Sequence, residues 1–157
     1  MAQVFALQTS PKPPQYHEEN PLTCWAIIPV KAPHEGKKRL AGALDATARR
    51  ELIRTMLERV VDAVEKTDGI DHYALLGPSR HGLADHIPLM EDPGGGLNAA
   101  LAYVLAMACQ LSITRILVIP ADLPHISMKD VLRLIDVPAS SIAIAPDRHG
   151  TGTNALS

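Results

Sequence analysis

The chain has 157 residues, 46% of them hydrophobic and 20% charged, and its formal net charge is -2. This length suits one domain, the weak charge gives no electrostatic basis for nucleic-acid binding, and no apolar run approaches the roughly 20 residues that span a bilayer. Cys24 and Cys109 are too few for a disulfide framework or a zinc motif, which is typical of a reduced cytoplasmic protein.

Residues 1–22 are predicted to be a disordered extension. The stretch "TSPKPPQYHEENP" carries four prolines and no apolar periodicity. It therefore cannot bury enough apolar surface to offset the entropy of ordering the chain. The regular pattern of apolar residues begins after it, and residues 23–157 are predicted to form one domain.

From residue 24 onward, strand-like and helix-like patterns alternate along the chain. Short apolar runs predict the strands "CWAIIPV", "HYALLG", "IPLMED", "RILVIP" and "SSIAIAP". Apolar residues at helical spacing predict the helices "RRELIRTMLERVVDAVEKTDG" with Asp45 as N-cap, "GGGLNAALAYVLAMACQL", and "SMKDVLRLI" with a capping box from Ser127 to Asp130. Because most strands are apolar on both faces, the pattern predicts a three-layer α/β/α domain with a mostly parallel sheet.

In such a sheet, ligands bind at the carboxyl ends of the strands, and polar clusters follow four of the predicted strands. The first, "KAPHEGKKRLAG", holds four cationic residues, which would suit a polyphosphate. The alternative is that the segment is an ordinary solvated loop. The second, "EDPGGGLNAAL", has glycines that let a ligand approach the backbone ahead of a helix start or that form a tight turn.

The other two clusters follow the fourth and fifth predicted strands. In "PADLP", the lone carboxylate of Asp122 suits Mg²⁺, because this ion takes few protein ligands and relies on substrate phosphates. The alternative is that Asp122 is an ordinary turn residue. In "APDRHGTGTN", amides and hydroxyls suit a small phosphorylated or carboxylated acid or form a flexible connection. Together the four clusters favour nucleotidyl transfer, which depends on positioning and charge neutralisation.

Four motifs, "IPVK" with "KKRLAG", "PGGGLNAAL", "IPADLP" and "APDRHGTGTNAL", resemble those of the phospholactate guanylyltransferase family of deazaflavin coenzyme biosynthesis. The resemblance covers residues 25–156 in the family's order and implies a fold like that of the nucleotide-diphospho-sugar transferases. It also implies a GTP- and Mg²⁺-dependent enzyme that joins GMP to the phosphate of a three-carbon acid and releases pyrophosphate. The implied acceptor is 2-phospho-L-lactate, phosphoenolpyruvate or 3-phosphoglycerate.

The same resemblance implies roles for individual residues, with a catalytic set made of Lys31, Arg39 and Asp122. The residues implied to contact the GTP phosphates are Lys31, Lys37 and Arg39. Those implied to face the guanosine are Gly95, Gly96 and Asn98. Asp122 would bind Mg²⁺, and the acceptor acid would be held by Thr151, Gly152 and Thr153.

The family's sequences continue beyond the last of these motifs, so the resemblance predicts a transferase domain that is incomplete at its C-terminal end. Two alternatives to an active guanylyltransferase stay open. One is a GTP-binding fragment without turnover, and the other is a different nucleotidyltransferase of the same fold. Neither a nucleic acid nor a membrane is expected as a partner, and a homo-oligomer is left open.

Overall fold

The computed structural model describes residues 3–6, 23–32, 42–138, 140–147, 149–150 and 152–157. The helices are α1 (Ala46–Glu65), α2 (Leu97–Gln110) and α3 (Met128–Ile135). The strands are β1 (Gln3–Ala6), β2 (Cys24–Pro29), β3 (His72–Leu76), β4 (Leu89–Met90), β5 (Arg115–Val118), β6 (Ser141–Pro146) and β7 (Thr153–Leu156). Within the described ranges, no helix has the length and apolar character needed to cross a membrane.

The strands form one sheet in the order β1-β6-β7-β5-β2-β3-β4. β2 pairs in parallel with β3 and β5, and β3 pairs in parallel with β4. β7 lies antiparallel to both β5 and β6, so β5 and β6 run in the same direction. Consequently β2, β3, β4, β5 and β6 all end at one edge of the sheet, called here the carboxyl edge. The predicted α/β class is confirmed, and the described sheet is mixed because its β1 and β7 pairings are antiparallel.

Two strands were not predicted from the sequence. β1 lies inside the stretch predicted to be a disordered extension, yet its backbone pairs with β6, with Phe5 opposite Ile142. β7 lies in the polar motif predicted to be a loop, and only its Ala155 is buried. Both strands are short. β1 pairs with β6 far along the chain, and β7 pairs with β5 as well as with the nearby β6, and local residue patterns reveal neither arrangement. The rest of the predicted extension lies outside the described residues.

Helices cover both faces of the sheet, as the three-layer prediction requires. Alternate residues of β2 point to opposite faces. Ala26 and Ile28 belong to the larger core with α1 and α3, which includes Leu57 and Val131. Ile27 belongs to a smaller core with α2, whose other members are Leu76, Ala100 and Val104. β2 is therefore buried on both faces.

The predicted starts of α1 and α3 are confirmed by side-chain hydrogen bonds. Asp45 is the N-cap of α1, where its carboxylate accepts a bond of 2.8 Å from the backbone N–H of Ala48. That bond lowers the pKa of the Asp45 carboxyl, because it stabilises the charged form. Before α3, the Asp130 carboxylate accepts bonds from the backbone N–H of Ser127 at 3.0 Å and from its hydroxyl at 2.6 Å. These bonds satisfy groups that a helix start leaves unpaired.

Gly77 marks a close approach between the ends of β2 and β3. The Val30 N–H donates to the Leu76 carbonyl at 2.9 Å, and the Gly77 N–H donates to the Met90 carbonyl at 3.0 Å. A Cβ atom built on Gly77 would lie only 2.2 Å from the Val30 carbonyl oxygen. Glycine is therefore required here because the backbone of the neighbouring strand occupies the space of a side chain.

Substitution Gly77→Ala should lower the free energy of unfolding by about 3 kcal/mol, because the added methyl overlaps backbone atoms that cannot rotate away. Gly94→Ala is the matched control, since Gly94 has a φ of 90° but nothing within 4 Å of its built Cβ. Conformational strain alone should lower the free energy of unfolding of the Gly94→Ala variant by about 1 kcal/mol. Urea denaturation of the two variants measures the difference, and equal losses would show that the contact with Val30 is unimportant.

The two cysteines differ in environment. Cys24 is 3% exposed, and burial raises the pKa of its thiol to about 11 despite the nearby positive charge of Arg115. Cys109 lies exposed on α2. Because only the thiolate reacts with alkylating agents, the fraction of reactive Cys24 in the folded protein should be very small near neutral pH.

At pH 8, iodoacetamide should modify the exposed Cys109 much faster than Cys24, because a buried thiol with a pKa of about 11 is only about 0.1% ionised at that pH. The Cys24 rate should rise steeply with pH and reach half of its maximum near pH 11, where its thiol is half ionised. Peptide mass spectrometry of timed samples gives both rates, and a urea-unfolded sample is the control in which the rates converge. Equal rates in the folded protein would contradict the burial of Cys24.

Candidate active site

The predicted site residues within the described ranges follow strands that end at the carboxyl edge. Lys31 comes two residues after β2, Asp122 follows β5, and Gly152 lies in the turn after β6. The glycines before α2 follow β4. Since β2 and β5 are hydrogen-bonded neighbours, the loops that carry Lys31 and Asp122 leave adjacent strands. Lys37, Arg39 and Thr151 lie outside the described residues.

Lys31 has an exposed side chain and a firmly held backbone. The ring Nε2 of His81 donates to the Lys31 carbonyl at 2.7 Å, which ties the loop after β2 to the loop after β3. His81 adopts a left-handed backbone conformation with a φ of 51°, which is uncommon for a residue other than glycine. This role of His81 was not predicted, because a lone histidine in a polar loop gives no signal of the contact.

The glycine platform consists of Gly94, Gly95 and Gly96, which have φ values of 90°, 85° and 86°. The Gly94 N–H donates to the Asp92 carboxylate at 2.8 Å, which shapes the turn. Gly96 is the N-cap of α2 and offers no side chain, and the first turn of α2 holds no acidic residue. The first backbone N–H groups of the helix therefore face solvent and can donate to an anion or a carbonyl.

The loop that carries Asp122 is held at several points. Before it, the Ile119 N–H donates to the Ile27 carbonyl at 2.9 Å. Within it, the Arg59 guanidinium on α1 donates through Nη1 to the Pro124 carbonyl at 2.7 Å. After it, the capping box starts α3. Ala121 and Leu123, on either side of Asp122, pack partly buried against the larger core, while Asp122 is exposed.

The loop after β6 is organised by Asp147, a residue that the sequence analysis did not select. Its backbone N–H donates to the Gly152 carbonyl at 2.8 Å, and its carboxylate accepts from the His149 N–H at 3.0 Å. A Cβ built on Gly152 would lie 2.9 Å from Asp147 Oδ2, so glycine leaves room for this carboxylate. The rule that selected Asp122, a carboxylate directly after a buried strand, would also have selected Asp147.

A shallow cavity of about 280 Å³ lies elsewhere, between α1 and residues 82–87. Arg54 and Glu58 in its wall form a 2.9 Å ion pair, and Asp62 pairs with Lys66 at 2.6 Å. Glu65 also lines the cavity, so its wall holds more acidic than basic side chains and disfavours a triphosphate. The carboxyl edge is the better candidate site.

Residues 24–157 match the protein family described as "Guanylyl transferase CofC like". The chain belongs to this family. It is 36% identical over 143 residues to a phosphoenolpyruvate guanylyltransferase of Conexibacter woesei, with 86% of the chain and 64% of that protein covered. It is 34% identical over 135 residues to a phosphoenolpyruvate guanylyltransferase of Thermobaculum terrenum, with 83% of the chain and 58% of that protein covered.

Among solved structures, a putative nucleotide-diphospho-sugar transferase from Desulfovibrio desulfuricans superposes with a TM-score of 0.67 at 16% identity. The superposition covers 85% of the chain and 62% of that structure. This similarity confirms the predicted fold. The CofC-like chain thus spans about two thirds or less of the two relatives described and of this structural neighbour.

A magnesium ion is the metal that the family resemblance implies, and Asp122 is the residue of the described part of the chain that the resemblance implies would hold it. No group of three or more histidine, cysteine or acidic side chains suited to a metal occurs there. Mg²⁺ commonly takes one or two protein carboxylates and completes its shell with water and substrate phosphates. A single exposed carboxylate such as Asp122 fits that mode of binding.

Arg59→Ala should loosen the loop that carries Asp122, because the Pro124 carbonyl loses its charged donor. Because the bond is exposed, its loss should lower the free energy of opening the loop by about 1 kcal/mol. Amide exchange in residues 121–126 should then be roughly fivefold faster. Arg50→Ala is the control, since the Arg50 guanidinium is exposed and bonds Thr47 within α1. Hydrogen–deuterium exchange compares the two, and the same acceleration in both variants would rule out a specific role for Arg59.

Proposed function

We propose that the chain is a guanylyltransferase that transfers GMP from GTP to the phosphate of a three-carbon phosphoacid and releases pyrophosphate. The observation that carries the proposal is the placement of Lys31 and Asp122 in the loops that follow two neighbouring parallel strands, in a chain of the guanylyl transferase family. A cation and a carboxylate at this edge are the groups that a metal-bound triphosphate requires. The exposed N–H groups at the start of α2 add further donors.

In the proposed reaction, a phosphate oxygen of the acceptor attacks the α-phosphorus of GTP and the bond to the pyrophosphate leaving group breaks. The attacking oxygen is already anionic, so the protein needs to position and neutralise charge more than to remove a proton. Lys31, with Lys37 and Arg39, would bind the triphosphate. Asp122 would hold Mg²⁺, which when bound would neutralise part of the triphosphate charge.

The guanosine would lie against the glycine platform, where the backbone is open to close approach. Gly95 and Gly96 present main-chain atoms without side chains, and Asn98 adds an amide at the exposed first turn of α2. An amide can both donate and accept hydrogen bonds, as a guanine edge requires. This arrangement supports the base-binding role that the family resemblance implies for these residues.

The acceptor would be held by the loop after β6 and the start of β7, through Thr151, Gly152 and Thr153. The relatives described are phosphoenolpyruvate guanylyltransferases, which favours phosphoenolpyruvate over 2-phospho-L-lactate and 3-phosphoglycerate. A reaction of this kind would place the chain in deazaflavin coenzyme biosynthesis. The Asp147 carboxylate, which shapes the loop, would determine how its amides face the acceptor.

A second candidate function is GTP binding without turnover. It is favoured by the coverage of the relatives, 64% and 58% for the two described, and by the lack of a cluster of metal-ligating side chains among the described residues. The glycine platform and Lys31 would suffice for such binding. The two functions differ in a single observable, the release of pyrophosphate.

Pyrophosphate release from GTP and Mg²⁺ should occur with phosphoenolpyruvate, and Asp122→Asn should reduce it at least about 100-fold, since a charge that neutralises the reacting phosphates is lost. The control is Asp68→Asn, which removes an exposed carboxylate at the opposite edge of the sheet, between α1 and β3. This variant should keep full activity. Thermal melts should show that both variants are folded.

Three results would decide between the candidate functions. Release with one of the three phosphoacids would establish the transferase and name its acceptor. GTP binding by calorimetry without release with any acid would favour the second candidate. Full activity in Asp122→Asn would remove Asp122 from the proposed mechanism, and preference for CTP or UTP would indicate a different nucleotidyltransferase.

A further inference from the structure

The carbonyl group of Lys31 departs from the regular bonding pattern of β2. The Ile27 carbonyl accepts a 2.9 Å bond from the first residue after β5, whereas the Val30 N–H donates to Leu76 of β3 at 2.9 Å. Because successive residues of a strand bond to opposite neighbours, the Lys31 carbonyl of a longer β2 would face β5 again. It instead accepts the 2.7 Å bond from Nε2 of His81, in the loop that follows β3.

A tight turn holds His81 in the position from which it makes this bond. The Leu83 N–H donates to the Arg80 carbonyl at 3.0 Å and closes a turn whose central residues, His81 and Gly82, have φ values of 51° and 82°. Arg80 Nε donates to the Ile87 carbonyl at 2.7 Å. Ile87 is 6% exposed, and Leu83 packs against the larger core. The turn is therefore anchored to the core, and a backbone conformation that is uncommon for histidine is enforced by its surroundings.

The position of the Lys31 carbonyl depends on His81. Within the described ranges, the bond from His81 is the one hydrogen bond in which Lys31 takes part. The residue before it, Val30, is locked to β3 by its bond to Leu76 and by the close approach of Gly77. The regular contacts of the sheet thus end at Val30, and His81 fixes the next peptide plane.

The orientation of that plane determines where the N–H of Ala32 points. The structure has no cis peptide bond, and the C=O and N–H groups of a trans peptide point in opposite directions. With the Lys31 carbonyl turned to His81, the Ala32 N–H points away from the His81 ring. No partner for this N–H occurs among the residues that the structure describes. On the side of β2 opposite to β3 lies β5, which is followed by the loop of Asp122.

We propose that His81 is a positioning residue for triphosphate binding. By holding the Lys31 carbonyl, it directs the Ala32 N–H and the Lys31 side chain to the phosphates of GTP. An ammonium group and a backbone N–H are both donors that phosphate oxygens accept. His81 itself does not contact the nucleotide. The inference rests on the proposed function, because it takes Lys31 as a ligand of the triphosphate.

The substitution His81→Gly separates the hydrogen bond from the shape of the turn. Glycine adopts a positive φ without strain, so the turn is kept while the donor to Lys31 is lost. Calorimetry with GTP and Mg²⁺ should show roughly fivefold weaker binding, as expected for one lost hydrogen bond between uncharged groups. Ser112→Gly is the matched control, since Ser112 has a φ of 56° but lies between α2 and β5 at the opposite edge of the sheet. This control should bind GTP as well as the unaltered chain.

The substitution His81→Gln tests whether the donor itself is responsible. The glutamine amide can donate from a position close to that of Nε2, so GTP affinity should stay within about twofold of that of the unaltered chain. A role confined to the shape of the turn predicts the reverse order, because glycine suits a positive φ and glutamine does not. Thermal melts identify variants that are folded, and only folded variants are compared.

A kinetic measurement checks which substrate is affected. In the pyrophosphate assay, His81→Gly should raise the KM for GTP roughly fivefold and leave the KM for phosphoenolpyruvate unchanged, because the proposed acceptor loop follows β6 and not β2. An equal rise in both KM values would overturn the inference, since it would show a general loss of structure at the carboxyl edge.

The remaining outcomes separate this inference from the proposed function. Equal GTP affinity of His81→Gly and the unaltered chain would overturn the inference and leave the proposed function standing. A loss of affinity in Ser112→Gly or in His81→Gln as large as that in His81→Gly would also overturn it. An unaltered chain that binds no GTP would overturn the proposed function and, with it, the inference.

Discussion

Ala26, Ile27 and Ile28 are at most 1% exposed, and they point alternately to the two faces of the sheet. Ile27 meets α2, while Ala26 and Ile28 meet the layer of α1 and α3. The same strand forms parallel hydrogen-bonded ladders with β3 on one side and β5 on the other. Burial on both faces and pairing along both edges make β2 the element on which both helix layers and both neighbouring strands depend.

The position of the candidate site follows from those parallel ladders. When β2 and β5 run in the same direction, the residues that follow them emerge at the same edge, and Lys31 and Asp122 come from adjacent strands. The loops themselves are held by specific contacts, from His81 to Lys31 and from Arg59 to Pro124. The scaffold therefore fixes the backbone of each loop and leaves the charged side chains in solvent, where a charged substrate can reach them.

The exposure of the site has a chemical consequence. Lys31 and Asp122 are both exposed, so their charges act through water and are screened by salt. Charge neutralisation strong enough for phosphoryl chemistry requires that water be excluded when the substrate is bound.

Several features were predicted correctly because they depend on neighbouring residues. The buried strand of residues 24–29, the N-cap at Asp45 and the capping bonds of Asp130 each leave a pattern within a few positions. Asp122 was selected in the same way, as a carboxylate directly after an apolar run. Its role in binding a metal stays a prediction.

The sequence by itself determined the α/β class, the order of α1 to α3 and β2 to β6, and the family, since apolar periodicity and local motifs carry that information. Only the tertiary structure decided that β1 and β7 join the sheet, that Asp147 shapes the loop before Gly152, and that Arg59 reaches Pro124. The physical reason is the same in each case. These contacts join backbone or charged groups that are distant in sequence or that resemble ordinary polar surface, so no local pattern of residues distinguishes them until the chain has folded.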